Sequence, residues 1–290
     1  MEKECVLYTK EKDKKVRCIA CAHKCLIPDG KTGICGVRRN IKGRLYLLVY
    51  GRVASRHIDP IEKKPLFHFL PKSYSYSFGT IGCNFRCDFC QNYDISQFKE
   101  VYGERIIGEQ LTPEEIVKEA IKTKCKSIAY TYTEPSIFIE FAVDTAKIAK
   151  KKKLKNILVT NGFMTKECID YFSPYIDAMN IDLKSFNNGF YAKYCGARLE
   201  PVLDAIKYAY KKRIHIEITT LIIPGLNDSE KELEEIAKFI ESVDKNIPWH
   251  ISRFFPMYKM KDREATPLDT LGKAEKIGKK YLNNVYIGNV

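Results

Sequence analysis

Three cysteines lie close together in the sequence Gly82-Cys83-Asn84-Phe85-Arg86-Cys87-Asp88-Phe89-Cys90-Gln91-Asn92, directly after a strand-like run. Their spacing is C-x3-C-x2-C. Three thiolates at this spacing can converge on one cubane iron–sulfur cluster, which leaves the fourth iron without a ligand from the protein. An open iron is a place for a substrate to bind, as is the open position of a catalytic zinc site. The loop therefore predicts a 4Fe–4S cluster held by Cys83, Cys87 and Cys90.

The alternative for these three cysteines is a structural zinc site whose fourth ligand comes from elsewhere, for example His57 or His68. Three features of the sequence favour the cluster over zinc. The loop follows the first strand of a series of βα units, and Phe89 directly precedes the last cysteine. In addition, no second cysteine pair lies nearby in the sequence.

From about residue 74 onward, short β-branched or aromatic runs alternate with amphipathic segments, which is the pattern of repeated βα units. The predicted strands are Tyr74–Thr80, Ser127–Thr133, Asn156–Thr160, Ile176–Asp182, Ile214–Thr220 and Pro248–Phe254. The main predicted helices run from Pro113 to about Lys122, from Ser136 to Lys151, from Leu199 to Lys211 and from Glu230 to Ser242. The spacing of about 25 to 35 residues leaves room for a crossover helix in each unit, so we expect an α/β fold with a parallel sheet or barrel.

Polar side chains follow the predicted strands where each strand ends. In a parallel barrel, these carboxyl ends form the active-site face. A single polar residue in a loop needs no functional explanation, but here the carboxyl ends of successive predicted strands all carry polar residues. We therefore predict that cofactor-binding residues come from these positions: Thr133, Glu134, Asn161, Asp182, Lys184, Thr219, His250 and Arg253. For His250, a core histidine bonded to a carbonyl group is an equally good interpretation.

Residues 1–73 differ from the rest and are predicted to form a small cysteine-rich extension before a main domain of residues 74–290. The extension contains Cys18, Cys21, Cys25 and Cys35, and a metal would stabilise so small a unit. Four close cysteines can form a closed zinc site or hold an auxiliary iron–sulfur cluster that passes electrons. The spacing C-x2-C-x3-C-x9-C matches neither a two-knuckle zinc ribbon nor a bacterial ferredoxin, so both alternatives stay open. His23 lies between two of these cysteines and can replace one of them, although a solvent-facing histidine with no ligand role is the favoured interpretation.

The composition is that of a globular protein: 290 residues, 45% hydrophobic and 29% charged, with a formal net charge of +13. No apolar run is long enough to span a bilayer, and the N-terminus lacks a secretion signal, so we expect a cytoplasmic protein with no membrane partner. In a reducing cytosol, clustered cysteines bind metal or do redox chemistry. Two alternatives to an enzyme stay open: a basic nucleic-acid-binding zinc-ribbon protein in which both cysteine groups hold zinc, and an electron carrier with two clusters. The charge alone does not require nucleic acid.

The cysteine loop and the βα units resemble the radical S-adenosylmethionine (SAM) enzymes, over about residues 74–290. This resemblance implies a partial (β/α)6 TIM-like barrel and an oxygen-sensitive enzyme. In that family the open iron binds SAM, and reductive cleavage releases a 5′-deoxyadenosyl radical that abstracts hydrogen. Thr133-Glu134-Pro135 occupies the place of the family's Gly-Gly-Glu segment without its two glycines. Asp182-Leu183-Lys184 is similar to the D-x-K segment beside SAM in pyruvate formate-lyase activating enzymes.

A closer resemblance is to the radical SAM component of the AmmeMemoRadiSam system. The residues that carry it include the N-terminal cysteines, Gly33-Ile34-Cys35-Gly36-Val37-Arg38, Asp59-Pro60-Ile61-Glu62-Lys63-Lys64-Pro65-Leu66-Phe67-His68-Phe69, Ile223-Pro224-Gly225-Leu226-Asn227-Asp228 and His250-Ile251-Ser252-Arg253-Phe254-Phe255-Pro256. The resemblance implies Memo-like and AMMECR-like partner proteins and a reducing electron donor. It does not identify the substrate, which can be a small molecule or, as for a glycyl-radical-enzyme activase, a protein.

Overall fold

The computed structural model describes residues 2–290, and the chain before residue 55 forms short antiparallel strands. They are β1 (Lys3–Glu4), β2 (Tyr8–Lys10), β3 (Val16–Cys18), β4 (Leu26–Ile27), β5 (Arg38–Ile41), β6 (Arg44–Leu47) and β7 (Arg52–Val53). The strands pair in the orders β1-β6-β5 and β2-β3-β4. Lys42 and Gly43 join β5 to β6 with φ values of 53° and 79°, as the two-residue turn of a hairpin prefers.

The main sheet has eight strands in the order β16-β15-β14-β13-β12-β11-β9-β8. Its strands are β8 (Ser55–Pro60), β9 (Tyr74–Gly79), β11 (Ser127–Tyr130), β12 (Lys155–Thr160), β13 (Ala178–Asp182), β14 (His215–Ile222), β15 (Trp249–Arg253) and β16 (Val285–Gly288). The short strand β10 (Glu109–Gln110) pairs with β7. All neighbours in the main sheet are parallel except β8 and β9. The predicted α/β class with a parallel sheet and a cysteine-rich N-terminal part is therefore confirmed.

The structure confirms the six predicted strands and adds one strand at each edge of the sheet. β8 and β16 were not predicted. β8 begins with the polar run Ser55-Arg56-His57, and β16 spans only Val285–Gly288 near the end of the chain. Residues 44–53 form two strands, β6 and β7, which a turn separates. Because β8 lies in the main sheet, strands on both sides of the predicted boundary at residue 73 build this sheet.

The helices lie between the strands of the main sheet. They are α1 (Tyr93–Ser96), α2 (Phe98–Tyr102), α3 (Pro113–Lys122), α4 (Ile139–Lys151), α5 (Lys166–Phe172), α6 (Asn188–Phe190), α7 (Glu200–Lys211), α8 (Glu230–Asp244) and α9 (Leu268–Gly278). A π-helical turn, Tyr191–Cys195, follows α6. The predicted start of α3 is confirmed in detail: Thr112 and Glu115 exchange side-chain to backbone hydrogen bonds of 3.2 and 2.7 Å, which form a capping box.

The segment between β8 and β9 crosses the interior of the open sheet. Ile61 and Leu66 pack on Ala129, Ile157 and Ala178 of β11, β12 and β13 in a small separate core. The segment then reaches the opposite edge, where the imidazole of His68 lies 2.6 Å from the hydroxyl of Tyr286 on β16. The crossing segment therefore forms a floor under the carboxyl ends of the strands.

The N-terminal extension shares its hydrophobic core with the main sheet, since one cluster of buried residues runs from Cys5 to Val285. A buried ion pair joins the two parts. The guanidinium of Arg38 on β5 donates to the carboxylate of Glu140 on α4 at 2.6 Å, and both side chains are almost fully buried. Arg38 also donates to the carbonyl oxygen of Ile137 at 2.8 Å. This compensated pair of charges therefore adds to the shared hydrophobic core in fixing the position of the extension.

We expect Glu140→Ala to destabilise the protein by about 3 to 5 kcal/mol, because it leaves the Arg38 guanidinium buried without a counter-charge. Denaturant unfolding of the anaerobically purified protein measures the effect. Lys279→Ala, which breaks the exposed Lys279–Glu275 pair at 2.8 Å, should change the free energy of unfolding by less than about 1 kcal/mol. Equal effects of the two substitutions would contradict the role of the buried pair.

Candidate active site

A cavity of about 920 Å³ opens at the carboxyl ends of the parallel strands. Parallel strands place their carboxyl ends at one edge, so residues far apart in sequence meet there. Of the predicted site residues, the cavity brings together Cys83, Cys87, Cys90, Thr133, Glu134, Asn161, Asp182, Lys184, Thr219 and His250. Arg253 does not line it; the Arg253 guanidinium instead donates to the carbonyl oxygen of Thr266 at 2.9 Å.

Backbone contacts hold the cysteine loop after β9 in place. Gly82 has a φ of +90°, and a Cβ atom there would lie 2.7 Å from the carbonyl oxygen of Cys35, so the position requires glycine. On the other side of the loop, the backbone N–H of Arg86 donates to the carbonyl oxygen of Cys195 at 2.8 Å. The Asp88 N–H donates to Tyr194 at 3.0 Å. The π-helical turn thereby supports the loop.

The three thiols of this loop have the donor chemistry that an iron–sulfur cluster needs. Burial raises the pKa of Cys83 and Cys90, and a hydrogen bond with Cys195 together with burial raises the pKa of Cys87. A thiol binds a metal as the thiolate, so it must lose its proton when the metal binds. Metal binding and deprotonation of these thiols are therefore coupled. Among residues 2–290, no three Cys, His, Asp or Glu side chains are arranged to hold a single metal ion. The three sulfurs line the wall of one cavity.

A buried cation lies beside these thiols. The ammonium of Lys184 is 2.9 Å from the carboxylate of Asp182 and 5.7 Å from the centre of the Phe89 ring. Burial alone would lower the pKa of Lys184, but the charge of Asp182 and the neighbouring Cys87 raise it. Lys184 therefore stays protonated and can balance negative charge on a thiolate-bound cluster.

The carboxylate of Glu134 is buried and accepts hydrogen bonds from neighbouring backbone and side-chain groups of the protein. It accepts from the Ser136 N–H at 3.0 Å, the Thr160 hydroxyl at 2.9 Å and the Asn161 N–H at 2.9 Å. Burial raises its pKa in spite of these bonds. Glu134 thus ties the segment after β11 to the end of β12, and its predicted contact with a cofactor stays a prediction.

Asn161 and Thr133 also make hydrogen bonds within the protein. The amide of Asn161 donates to the side-chain oxygen of Asn84 in the cysteine loop at 2.7 Å. The hydroxyl of Thr133 donates to the carbonyl oxygen of Thr80 at 2.9 Å. Both residues therefore connect a strand end to the loop of Cys83, which orients this side of the cavity.

The floor of the cavity contains charged residues that were not assigned to the site from the sequence. The Lys64 ammonium is 2.7 Å from the carboxylate of Asp59 and 4.7 Å from the centre of the Tyr132 ring. The Tyr132 hydroxyl donates to Asp59 at 2.9 Å, and Tyr132 has a positive φ of 66°. Asp59 and Lys64 belong to the run Asp59–Phe69, which carried part of the family resemblance but had no predicted role.

His250 is oriented by a buried carboxylate on the neighbouring strand. Glu217 of β14 accepts from the imidazole of His250 at 2.6 Å and from that of His215 at 3.0 Å. The backbone N–H groups of Phe67 and His68 also donate to Glu217, at 3.0 and 2.8 Å. Glu217 therefore anchors the crossing segment and fixes the His250 ring, which lies 4.7 Å from the Phe67 ring.

The remaining candidates occupy separate positions. Thr219 donates to the side-chain oxygen of Asn180 at 3.0 Å. His57 lies at the cavity with its ring 5.7 Å from the Tyr132 ring, whereas His68 contacts Tyr286. Neither histidine is grouped with the three cysteines in a site for one ion in the part of the chain that the structure describes.

The second predicted group of cysteines, Cys18, Cys21, Cys25 and Cys35, lines a small cavity in the extension. Arg38 and Asn84 also line it. The imidazole of His23 lies 2.9 Å from the carbonyl oxygen of Asn84 and faces the same cavity. The structure thus brings the second predicted group of ligands together.

No helix within residues 2–290 has the length and apolar character needed to cross a membrane.

Residues 78–240 match the profile of the Radical SAM superfamily. Over 290 residues the chain is 46% identical to an uncharacterised protein of Methanocaldococcus jannaschii, covering 99% of this chain and 85% of that protein. It is 24% identical over 183 residues to the pyruvate formate-lyase 1-activating enzyme of Escherichia coli strain K12, covering 58% of this chain and 71% of that enzyme. A radical SAM methyltransferase from Sphaerobacter thermophilus has a similar fold, with a TM-score of 0.58 and 16% identity over 76% of this chain and 67% of that one.

The Glu217 carboxylate should stabilise the fold in a pH-dependent manner. Burial opposes its ionisation, but the bonds from His215, His250 and two backbone N–H groups lower its pKa from 4.5 to about 2. A lowered pKa contributes stability above the unfolded-state pKa, here about 3 kcal/mol, which is lost as the pH falls toward 2.

We therefore expect Glu217→Gln to lower the free energy of unfolding at neutral pH, and the difference from the wild type to shrink between about pH 5 and about pH 2. Urea unfolding across this range measures it. Glu241→Gln, at an exposed position on α8, serves as the control. A difference for Glu217→Gln that does not change with pH would contradict the role of the ionised carboxylate.

Proposed function

Because this chain belongs to the radical SAM superfamily, we propose that it cleaves SAM reductively and uses the 5′-deoxyadenosyl radical to abstract hydrogen from a substrate. The predicted resemblance to this superfamily, and its relation to pyruvate formate-lyase activating enzymes, are confirmed. The observation that carries the proposal is the meeting of Cys83, Cys87 and Cys90 with polar strand ends in one cavity of about 920 Å³. Membership favours this function over a nucleic-acid-binding zinc-ribbon protein and over an electron carrier.

We propose that Cys83, Cys87 and Cys90 hold a 4Fe–4S cluster, which when bound supplies the electron that breaks a carbon–sulfur bond of SAM. The chain itself positions and shields the reactants. Lys184 places a positive charge beside Cys87, and the buried rings of Phe85 and Phe89 exclude water from the loop. Where water is excluded from the loop, the interaction of Lys184 with negative charge is stronger than in solvent.

The polar strand ends are proposed to bind SAM. Asp182 is the most accessible carboxylate among the predicted contacts, with 32% of its side chain exposed, and can accept hydrogen bonds from an ammonium group. Thr133, Asn161, Thr219 and His250 line the same cavity and complete the proposed binding surface. Glu134 contributes by holding the backbone of Asn161 in position.

For the substrate, we propose chemistry of the AmmeMemoRadiSam type, with Memo-like and AMMECR-like partner proteins and a reducing electron donor. The residues of that resemblance support this choice, since the run Asp59–Phe69 builds the cavity floor with Lys64 and Asp59 facing inward. A glycyl-radical-enzyme activase is the second candidate. The similarity to the E. coli activating enzyme and the segment Asp182-Leu183-Lys184 favour it. We also propose that Cys18, Cys21, Cys25 and Cys35 bind a metal centre, either zinc or an auxiliary cluster.

Anaerobic reconstitution with iron and sulfide tests this function. The reduced wild-type protein should convert SAM to 5′-deoxyadenosine, which mass spectrometry quantifies. Cys87→Ala should abolish the product, because two thiolates are left to hold the cluster. Cys125→Ala removes a buried cysteine that bonds Thr123 and lines neither sulfur-containing cavity, and should retain activity. Full activity of Cys87→Ala, or an intact reducible cluster that yields no 5′-deoxyadenosine, would refute the proposal.

A further inference from the structure

The short helix α1 is held against the start of the cysteine loop by its backbone. The N–H of Gly82 donates to the carbonyl oxygen of Ile95 at 2.8 Å, and the N–H of Ser96 donates to that of Asn92 at 2.9 Å. Ser96 is the last residue of the helix, is only 3% exposed and lines the cavity of the three cysteines. The backbone therefore fixes where the Ser96 side chain meets the loop.

The hydroxyl oxygen of Ser96 lies 3.1 Å from the sulfur of Cys90, which is within the range of a hydrogen bond. Between a hydroxyl and a free thiol, either group can donate. A thiolate that binds a metal has no proton and can only accept. When Cys90 is a ligand, the Ser96 hydroxyl is therefore the donor.

The side-chain amide of Gln97 leaves the Ser96 proton free for this bond. The amide nitrogen donates to the hydroxyl oxygen of Ser96 at 3.2 Å and to the carbonyl oxygen of Phe85 at 3.1 Å. These two bonds use both protons of the amide. Because the Ser96 oxygen already accepts from Gln97, its own proton is available to the sulfur of Cys90. The bonds form a chain from Gln97 through Ser96 to Cys90, in which each bond polarises the next.

The three sulfurs of the loop have different neighbours. The sulfur of Cys83 accepts a backbone N–H at 3.4 Å, which no side-chain substitution removes. Cys87 lies near the charge of Lys184. Cys90 has the uncharged hydroxyl of Ser96. A single-atom change at Ser96 thus removes one hydrogen bond to a ligand sulfur and alters neither the charge of the site nor its three thiols.

We infer that Ser96 is a positioning residue that donates a hydrogen bond to the Cys90 sulfur of the cluster and thereby raises the reduction potential of the cluster. The inference rests on the proposed function, because it takes a 4Fe–4S cluster at Cys83, Cys87 and Cys90. Hydrogen bonds to the sulfurs are one means by which a protein sets this potential. The reduced cluster carries one more negative charge than the oxidised cluster, so a hydrogen-bond donor stabilises the reduced form more. Ser96 therefore makes the cluster easier to reduce for an external donor.

A redox titration of the anaerobically reconstituted protein, followed by electron paramagnetic resonance, tests this inference. Ser96→Ala keeps all three thiols and should retain about four irons per chain. At a fixed solution potential, its ratio of reduced to oxidised cluster should be about tenfold lower than in the wild type, because one hydrogen bond to a charged group is lost. A tenfold change in this ratio is a decrease of about 59 mV in the midpoint potential of a one-electron couple.

Matched variants separate the hydrogen bond from an effect of packing. Ser96→Thr keeps the hydroxyl and should retain the wild-type potential. Ser127→Ala removes a buried hydroxyl that makes no hydrogen bond within residues 2–290 and lies outside the cavity, so its potential should also stay unchanged. If Ser96→Ala does not assemble a cluster, Gln97→Leu replaces it. This change removes the amide that orients the Ser96 hydroxyl and should lower the potential by a smaller amount.

Several outcomes would overturn the inference. Equal potentials for Ser96→Ala and the wild type would do so and leave the proposed function intact. Equal shifts in Ser96→Ala and Ser96→Thr would assign the effect to packing and not to the hydroxyl. The expected shifts in a protein that does not cleave SAM would instead contradict the proposed function and leave the role of Ser96 standing. A wild-type protein that assembles no 4Fe–4S cluster would overturn both proposals.

Discussion

Both sulfur-lined cavities depend on how closely the backbone from Gly82 to Arg86 packs against its neighbours. A side chain at Gly82 would clash with the carbonyl oxygen of Cys35, so the absence of a Cβ atom allows the two cysteine loops to touch. On the opposite side, the π-helical turn Tyr191–Cys195 accepts backbone hydrogen bonds from the loop. These contacts replace the hydrogen bonds of a regular element, which this segment lacks. They hold the cysteines at the edge of the sheet, where the polar strand ends also meet.

Paired polar and charged side chains, most of them buried, lie beside the two sulfur-lined cavities. Arg38 pairs with Glu140, Lys64 with Asp59, Lys184 with Asp182 and His250 with Glu217. Burying such groups costs free energy, which pairing and additional hydrogen bonds offset. An apolar core would avoid this cost. We therefore attribute these buried polar groups to the function of the site. They place fixed charges near the thiols, and water does not have to reorganise around those charges during a reaction.

The prediction of the fold succeeded where the signal was local. Strands and helices in the βα region follow from periodicity and from caps such as Thr112, and both are properties of neighbouring residues. The two edge strands were missed: β8 begins with a polar run, and β16 is only four residues long. For the site, the parallel topology correctly placed most of the polar strand ends in one cavity. Arg253 was the exception, because its guanidinium turns to Thr266.

The sequence by itself determined the two groups of cysteines, the parallel α/β architecture and the face on which the site lies, since spacing and periodicity express all three. Only the tertiary structure decided what surrounds the cysteines. Phe67 and Glu217 are 150 positions apart and meet only because the segment after β8 crosses the sheet. The close approach of Gly82 to the carbonyl oxygen of Cys35 likewise arises from packing between the extension and the loop that follows β9. Such contacts leave no periodic trace in the sequence, because each depends on where distant segments come to rest in the folded chain.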